Sequence, residues 1–203
     1  MLEFAFMRKA LVAGFLLAIM IPMIGIIMVN RKTSMIGDAL SHTALSGVGL
    51  GLILGFDPLI GSAIVCVIAA FLIELIRKKF PQYGDMATAV IMSTGLGIAA
   101  ILSDFAPGGN SFESYLFGSI SSVTNMDVIN ISVIFVLILA VSISQYSGLL
   151  AISIDKNIAR LAGVKVNRIN AVFTFLSAIT IALAVKIVGA LMVTSLIVLP
   201  VAT

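Results

Sequence analysis

Asp38 and His42 stand four residues apart in the run Gly37-Asp38-Ala39-Leu40-Ser41-His42. On a helix that spacing puts both side chains on one face, one turn apart. A carboxylate oxygen and an imidazole nitrogen so placed suit a divalent transition metal: Zn²⁺, Mn²⁺ or Fe²⁺. Two ligands do not complete a coordination shell, but two copies of the chain around a twofold axis would bring four. A plainer alternative stays open. If Arg31 and Lys32 mark a membrane surface, Asp38 would cap the start of its helix, with His42 satisfied by a neighbour.

The same segment continues through Gly47, Gly51 and Gly55, a G-x-x-x-G-x-x-x-G ridge. By the helical wheel this ridge lies about 180° to 260° from Asp38, whereas His42 and Gly49 fall within about 40° of it. Small-residue ridges let transmembrane helices approach closely. One face is therefore expected to pack against a neighbour and the roughly opposite face to be polar, as in a helix that lines a path.

The elements that must hold these groups are set by composition. Of 203 residues, 61% are hydrophobic and 10% charged, and the mean hydropathy is +1.22. Soluble domains run at about 45–50% apolar and about 25% charged. That excess excludes a soluble domain, a disordered chain, a coiled coil and a nucleic-acid-binding module, all of which need more charge. Cys66 is the lone cysteine, which excludes an internal disulfide framework and a cysteine-rich metal cage.

Apolar stretches run from Ala10 to Asn30, from about Met35 to Phe56, from Pro58 to Ile73, from Met86 to Ser103 and from Val128 to about Ser144. A further stretch from Ile169 to Thr203 is broken only by Lys186 and is too long for one straight crossing. It reads as two short segments hinged near Lys186–Gly189. The runs are continuous rather than alternating, which selects helices over a barrel. The first is too long for a cleaved signal peptide and lacks its cleavage site. The expectation is an all-α fold: a polytopic transmembrane helical bundle of about seven segments, forming one domain over 1–203. The apolar run with Pro200 ends at Thr203 without a polar flank, so the chain reads as the front portion of a longer permease.

Charge orients the bundle. Arg31, Lys32, Arg77, Lys78, Lys79, Lys156, Arg160, Lys165 and Arg168 fall in alternate loops, while the intervening loops carry Asp57, Asp104 and Glu113. By the positive-inside rule the loops 31–35, 77–85 and 146–168 are cytoplasmic. The loop 104–127, with its Pro107-Gly108-Gly109-Asn110 turn, is external, and the amino terminus lies outside, against the pull of Arg8 and Lys9. The interval from Ser153 to Gly163 reads as a short amphipathic helix, capped by Asp155 and ended by Gly163, with Ile158, Leu161 and Ala162 on an apolar side. It would lie on anionic lipid or dock a cytoplasmic partner. No G-x-x-x-x-G-K-[ST] run occurs, so an ATP-driven motor would be another chain. Glu74 is expected to pair with Lys78, and Lys186 to snorkel or line a cavity. The methionines are scattered as ordinary apolar filler.

Taken in order, five motifs resemble the zinc/manganese/iron permease family of ATP-binding-cassette transporters. They are the run Ser34 to His42; Tyr115-Leu116-Phe117-Gly118; Asp155-x3-Ala159-x3-Gly163-Val164; Gly189-Ala190-Leu191-Met192-Val193; and Leu199-Pro200-Val201-Ala202-Thr203. The resemblance implies a bacterial plasma-membrane permease, homodimeric, with an ion path between its halves. It implies cytoplasmic ABC ATPase subunits as partners, an extracellular metal-binding protein that delivers the ion, and no permanently bound cofactor. Carried onto matching positions, Asp38 and His42 become ion contacts. Asp155, Ala159 and Gly163 become an ATPase contact, and Tyr115, Leu116, Phe117 and Gly118 face the binding protein. Family members continue through roughly two further hydrophobic segments, and a loop beyond Thr203 is a second candidate for the ATPase contact. Other readings of the same residues are an ion-gradient-driven secondary metal transporter using Asp38 and His42 as a proton relay, a non-transporting assembly subunit, and a cobalamin- or siderophore-type permease.

Overall fold

Helix ends in this chain are written by proline, glycine and short polar side chains. The fold is that of a computed structural model, and the residues it describes are 5–31, 33–105, 109–119, 123–154 and 156–202. The helices are α1 (Ala5–Asn30), α2 (Met35–Leu54), α3 (Pro58–Lys79), α4 (Gly84–Phe105), α5 (Gly109–Phe117), α6 (Asn125–Ser144), α7 (Tyr146–Ile154), α8 (Lys156–Leu161), α9 (Val166–Val188) and α10 (Ala190–Ala202). There is no strand among the described residues. Asp57 caps α3, accepting the Leu59 N–H at 2.9 Å, with Pro58 in the first turn. Thr124 and Asp127 close a reciprocal capping box on α6. Gly189, at φ 92, separates α9 from α10, which places the break inside the expected hinge.

Among the described residues, five helical stretches are long and apolar enough to cross a membrane: Phe6–Asn30, Pro58–Lys79, Pro81–Phe105, Asn125–Ser144 and Val166–Val188. The expected count of about seven is therefore met only roughly. α10 has 13 residues, about 20 Å at 1.5 Å each, short of a hydrocarbon core of about 30 Å. α2 has the length, but glycine, serine, threonine, Asp38 and His42 dilute its hydropathy. It is the helix that lipid need not solvate. α2 sits at the centre, packed against α3, α4, α5, α9 and α10, and buries Ala39, Leu40, Ala44, Leu45 and Val48. α9, rather than being short, is a full 23-residue helix.

Close approach at the centre depends on missing Cβ atoms. A Cβ on Gly47 would lie 2.5 Å from the Gly61 carbonyl oxygen and 2.6 Å from Ser62 Cα; one on Gly51 would lie 2.7 Å from Pro58 Cα. Gly47 and Gly51 are thus where α2 meets the backbone of α3. Gly55 is different. It takes φ 74 at the carboxyl end of α2, donates its N–H to the Gly51 carbonyl, and a Cβ there would touch nothing within 4 Å. Its place is a left-handed cap and not the packing ridge.

Arg31, at the end of α1, packs against α9. Arg31 lies over the Phe173 ring at 5.0 Å, and its Nε and Nη2 are buried without a hydrogen-bond partner among the described residues. Nearby, Glu74 of α3 accepts from the Thr174 hydroxyl at 2.9 Å, and Lys78 pairs with Glu74 at 3.0 Å as expected. Thr174 is eight residues beyond the start of α9, so this level is about 12 Å in from that end.

Candidate functional site

Asp38 and His42 share one face of α2, and that face meets α10. The His42 Nε2 lies 3.4 Å from Asp38 Oδ1, and the Thr194 hydroxyl donates to the same oxygen at 2.8 Å. Asp38 Oδ2 has no partner among the described residues, and His42 Nδ1 is buried without one. The two side chains keep 33% and 19% of their surface exposed, so they are neither sealed nor lying on the outside.

Register gives their depth. The Cys66 thiol donates to the Leu40 carbonyl at 3.4 Å, and α2 and α3 are antiparallel, as Gly47–Gly61 and Gly51–Pro58 show. Asp38, two residues from Leu40, therefore lies level with residues 68–69, midway along α3. A cap at a membrane surface does not fit. The carboxylate reaches across to α10 instead of accepting α2's own N–H groups, and Ser34 occupies the cap position. An ionised group at that depth belongs on an interior or water-filled face.

No group of three or more His, Cys, Asp or Glu occurs among the described residues, so this chain alone offers one carboxylate and one imidazole. Gly49, also on that side of the wheel, packs against Leu102 of α4, which covers the polar face beyond His42. The accessible part of the face is the Asp38–His42 turn alone.

The other predicted positions fall at the two ends of the bundle. Tyr115 and Leu116 of α5 are partly buried against the core, and Phe117 is exposed. Burial, with Asp57 and Asp127 nearby, raises the Tyr115 hydroxyl above its usual range. Gly118, at φ 79, lets its backbone touch Val188 and Gly189, where a Cβ would come within 2.4 Å of the Val188 carbonyl carbon. At the other end, Asp155 lies outside the described residues. Ala159 is fully buried beside Ile152 and Val166, and Gly163 ends α8 at φ 78. The single amphipathic helix expected over 153–163 is instead the end of α7 followed by the six-residue α8. Its apolar side is reversed: Ala159 faces in, while Ile158 and Leu161 are exposed at 62% and 89%.

Two residues were not legible as site members. Thr194 is 156 positions from Asp38, and nothing in the sequence couples them. Asp127 adds no ligand to a metal cluster but accepts Lys186 Nζ on both oxygens, at 2.8 and 2.9 Å. Its one sequence signal was the Thr124-x-x-Asp127 capping pattern.

The ABC 3 transport family matches residues 3–203. A Treponema pallidum protein named "Probable metal transport system membrane protein" is 36% identical over 203 residues, covering all of this chain and 76% of the relative. The high-affinity zinc uptake system membrane protein ZnuB of Haemophilus influenzae is 29% identical over 201 residues, 98% of this chain and 77% of its own length. Among solved structures, PsaBC from Streptococcus pneumoniae in complex with Fab superposes with a TM-score of 0.85 at 28% identity, covering 98% of this chain and 72% of that one. These likenesses run the length of the sequence, and the chain is a multi-pass membrane member of the ABC 3 transport family.

Proposed function

We propose that this chain is the membrane-spanning permease subunit of an ATP-binding-cassette importer for a divalent transition-metal ion: zinc, manganese or iron. The observation that carries this reading is the partly exposed Asp38–His42 pair, level with the middle of α3, on the helix at the centre of the bundle. Two such pairs around a twofold axis between chains give two carboxylates and two imidazoles, a donor set that suits these ions. The setting is a bacterial plasma membrane, with basic loops on the cytoplasmic side. Cytoplasmic ATPase subunits dock at α8, where the exposed Ile158 and Leu161 offer an apolar grip. An extracellular metal-binding protein delivers the ion to the opposite end, at the exposed Phe117 beside Tyr115, Leu116 and Gly118.

In this scheme access alternates. ATP binding in the partner chains draws the α8 regions together and opens the path outward. Asp38 and His42 take the ion briefly, and hydrolysis returns the path to the inside. The pair is sparse, and a complete cage within one chain would hold the ion too tightly to release it.

Uptake of zinc, manganese and iron by cells carrying Asp38→Ala or His42→Ala tests this. Transport should fall beyond the roughly 10–100-fold that losing an outer-shell partner costs, with the dimer intact by crosslinking. Wild-type uptake in both variants would remove the pair from the path.

A further inference from the structure

We propose that Thr194 is a positioning residue for the Asp38 carboxylate, tying the ion site on α2 to the placement of α10. This rests on the reading of Asp38 and His42 as ion contacts. The hydroxyl donates to Oδ1 at 2.8 Å, the oxygen that also faces His42 Nε2. Thr194 donates to Oδ1, which lies 3.4 Å from His42 Nε2, so Oδ2 is the carboxylate oxygen without a hydrogen bond among the described residues. A hydrogen bond to a charged acceptor is one of the stronger single contacts a threonine makes.

The element that carries Thr194 gives the contact its meaning. α10 begins directly after Gly189, a residue at φ 92, so it is joined to α9 by a break and not by continuous helix. Among the described residues, α10 meets α2 at Thr194 on Asp38 and at the Ile197 side chain against Gly37, where a Cβ would come within 2.8 Å, and it also packs on α1. A shift of α10 about its junction moves the hydroxyl away from Oδ1 and frees the carboxylate to rotate. Tight binding then accompanies α10 docked on α2, and release accompanies its departure. Thr194 acts through Asp38 and touches the ion only if its own oxygen is recruited once Oδ1 is vacated.

The test is the concentration dependence of zinc and manganese uptake in cells carrying the full-length transporter with its own ATPase. The variants are Thr194→Val, Thr194→Ser and Asp38→Asn. Thr194→Val keeps shape and removes the donor; KM should rise about tenfold, as loss of one hydrogen bond to a charged group predicts, while the maximal rate changes less than about twofold. Thr194→Ser keeps the donor and should restore KM to near the wild-type value. If Val fails to reach the membrane, Thr194→Ala against Thr194→Ser makes the same comparison. Wild-type KM in Thr194→Val, or a Ser variant as impaired as Val, overturns the proposal, the latter because the methyl group and not the hydroxyl would matter. Asp38→Asn separates the two readings. Wild-type transport there defeats the ion site itself; lost transport there with a normal Thr194→Val defeats only the positioning role.

Discussion

Lys186 of α9 places its ammonium between both carboxylate oxygens of Asp127 on α6, at 2.8 and 2.9 Å, and both side chains are largely withdrawn from the surface. Asp127 is held from its other side by the Thr124 N–H and hydroxyl, each 2.8 Å from Oδ2. Four hydrogen bonds thus converge on one carboxylate, at the end of the bundle where α5 folds back onto the α9–α10 junction. Lys186 does not snorkel. It is the counter-ion of a capping residue, which allows an ammonium to sit near the end of a membrane helix.

Breaking this pair from one side should cost more than removing it altogether. A buried charge that loses its partner typically costs about 3–5 kcal/mol, whereas replacing both partners by apolar groups is often neutral. Lys186→Met should therefore lower the thermal stability of the detergent-purified protein and reduce its yield. Combined with Asp127→Leu it should recover most of that loss, less the capping contribution of about 1 kcal/mol. Size-exclusion profiles after a temperature ramp measure this. A double variant as unstable as Lys186→Met alone would show that the pair itself supplies the stability.

The membrane class, the helical runs and the break near Gly189 were legible because they depend on composition and local backbone preference. The Asp38–His42 face was legible for the same reason, since i,i+4 spacing is a property of one helix. Depth was not. The packing of Arg31 over Phe173, beside the Thr174–Glu74 contact, depends on how far α3 and α9 run alongside the end of α1, which no local pattern states. Nor was α8, where Ala159 is buried and Ile158 and Leu161 are exposed. Thr194 was out of reach because the contact depends on how α10 lies against α2, which no local pattern encodes.

Glycines on α2 and α4 differ in what a Cβ would meet: backbone, a side chain, or nothing. A Cβ on Gly47 would stand 2.5 Å from the Gly61 carbonyl oxygen, whereas one on Gly97 would meet nothing within 4 Å. Gly47→Ala must push α2 and α3 apart at the closest point of the core, and the opposing atoms are backbone, which cannot rotate away. Gly97→Ala adds a methyl to open space and gains helix propensity of about 1 kcal/mol. The expected outcome is a sharp fall in folded yield for Gly47→Ala and an unchanged or slightly raised melting temperature for Gly97→Ala. Equal behaviour of the two would mean that α2 and α3 have slack at this crossing.

Gly118 and Gly189 meet backbone to backbone: a Cβ on either would come within 2.4 Å of the other segment, and both have positive φ, at 79 and 92. Gly189 combines φ 92 with ψ 149, a conformation essentially reserved for glycine. Gly163 also has positive φ, 78, but a Cβ there meets nothing within 4 Å. Alanine at Gly163 is therefore disfavoured only by its backbone angle, about 1 kcal/mol. Alanine at Gly118 or Gly189 is disfavoured by that angle and must also separate α5 from the α9–α10 junction. Limited proteolysis should accordingly find α5 cut faster in Gly118→Ala and Gly189→Ala than in wild type, with Gly163→Ala unchanged there. Because Gly189 also sets where α10 leaves α9, its alanine variant should shift metal KM in the direction of Thr194→Val, and Gly163→Ala should not. Unchanged cleavage and KM in Gly189→Ala would mean that α10 keeps its place without the break.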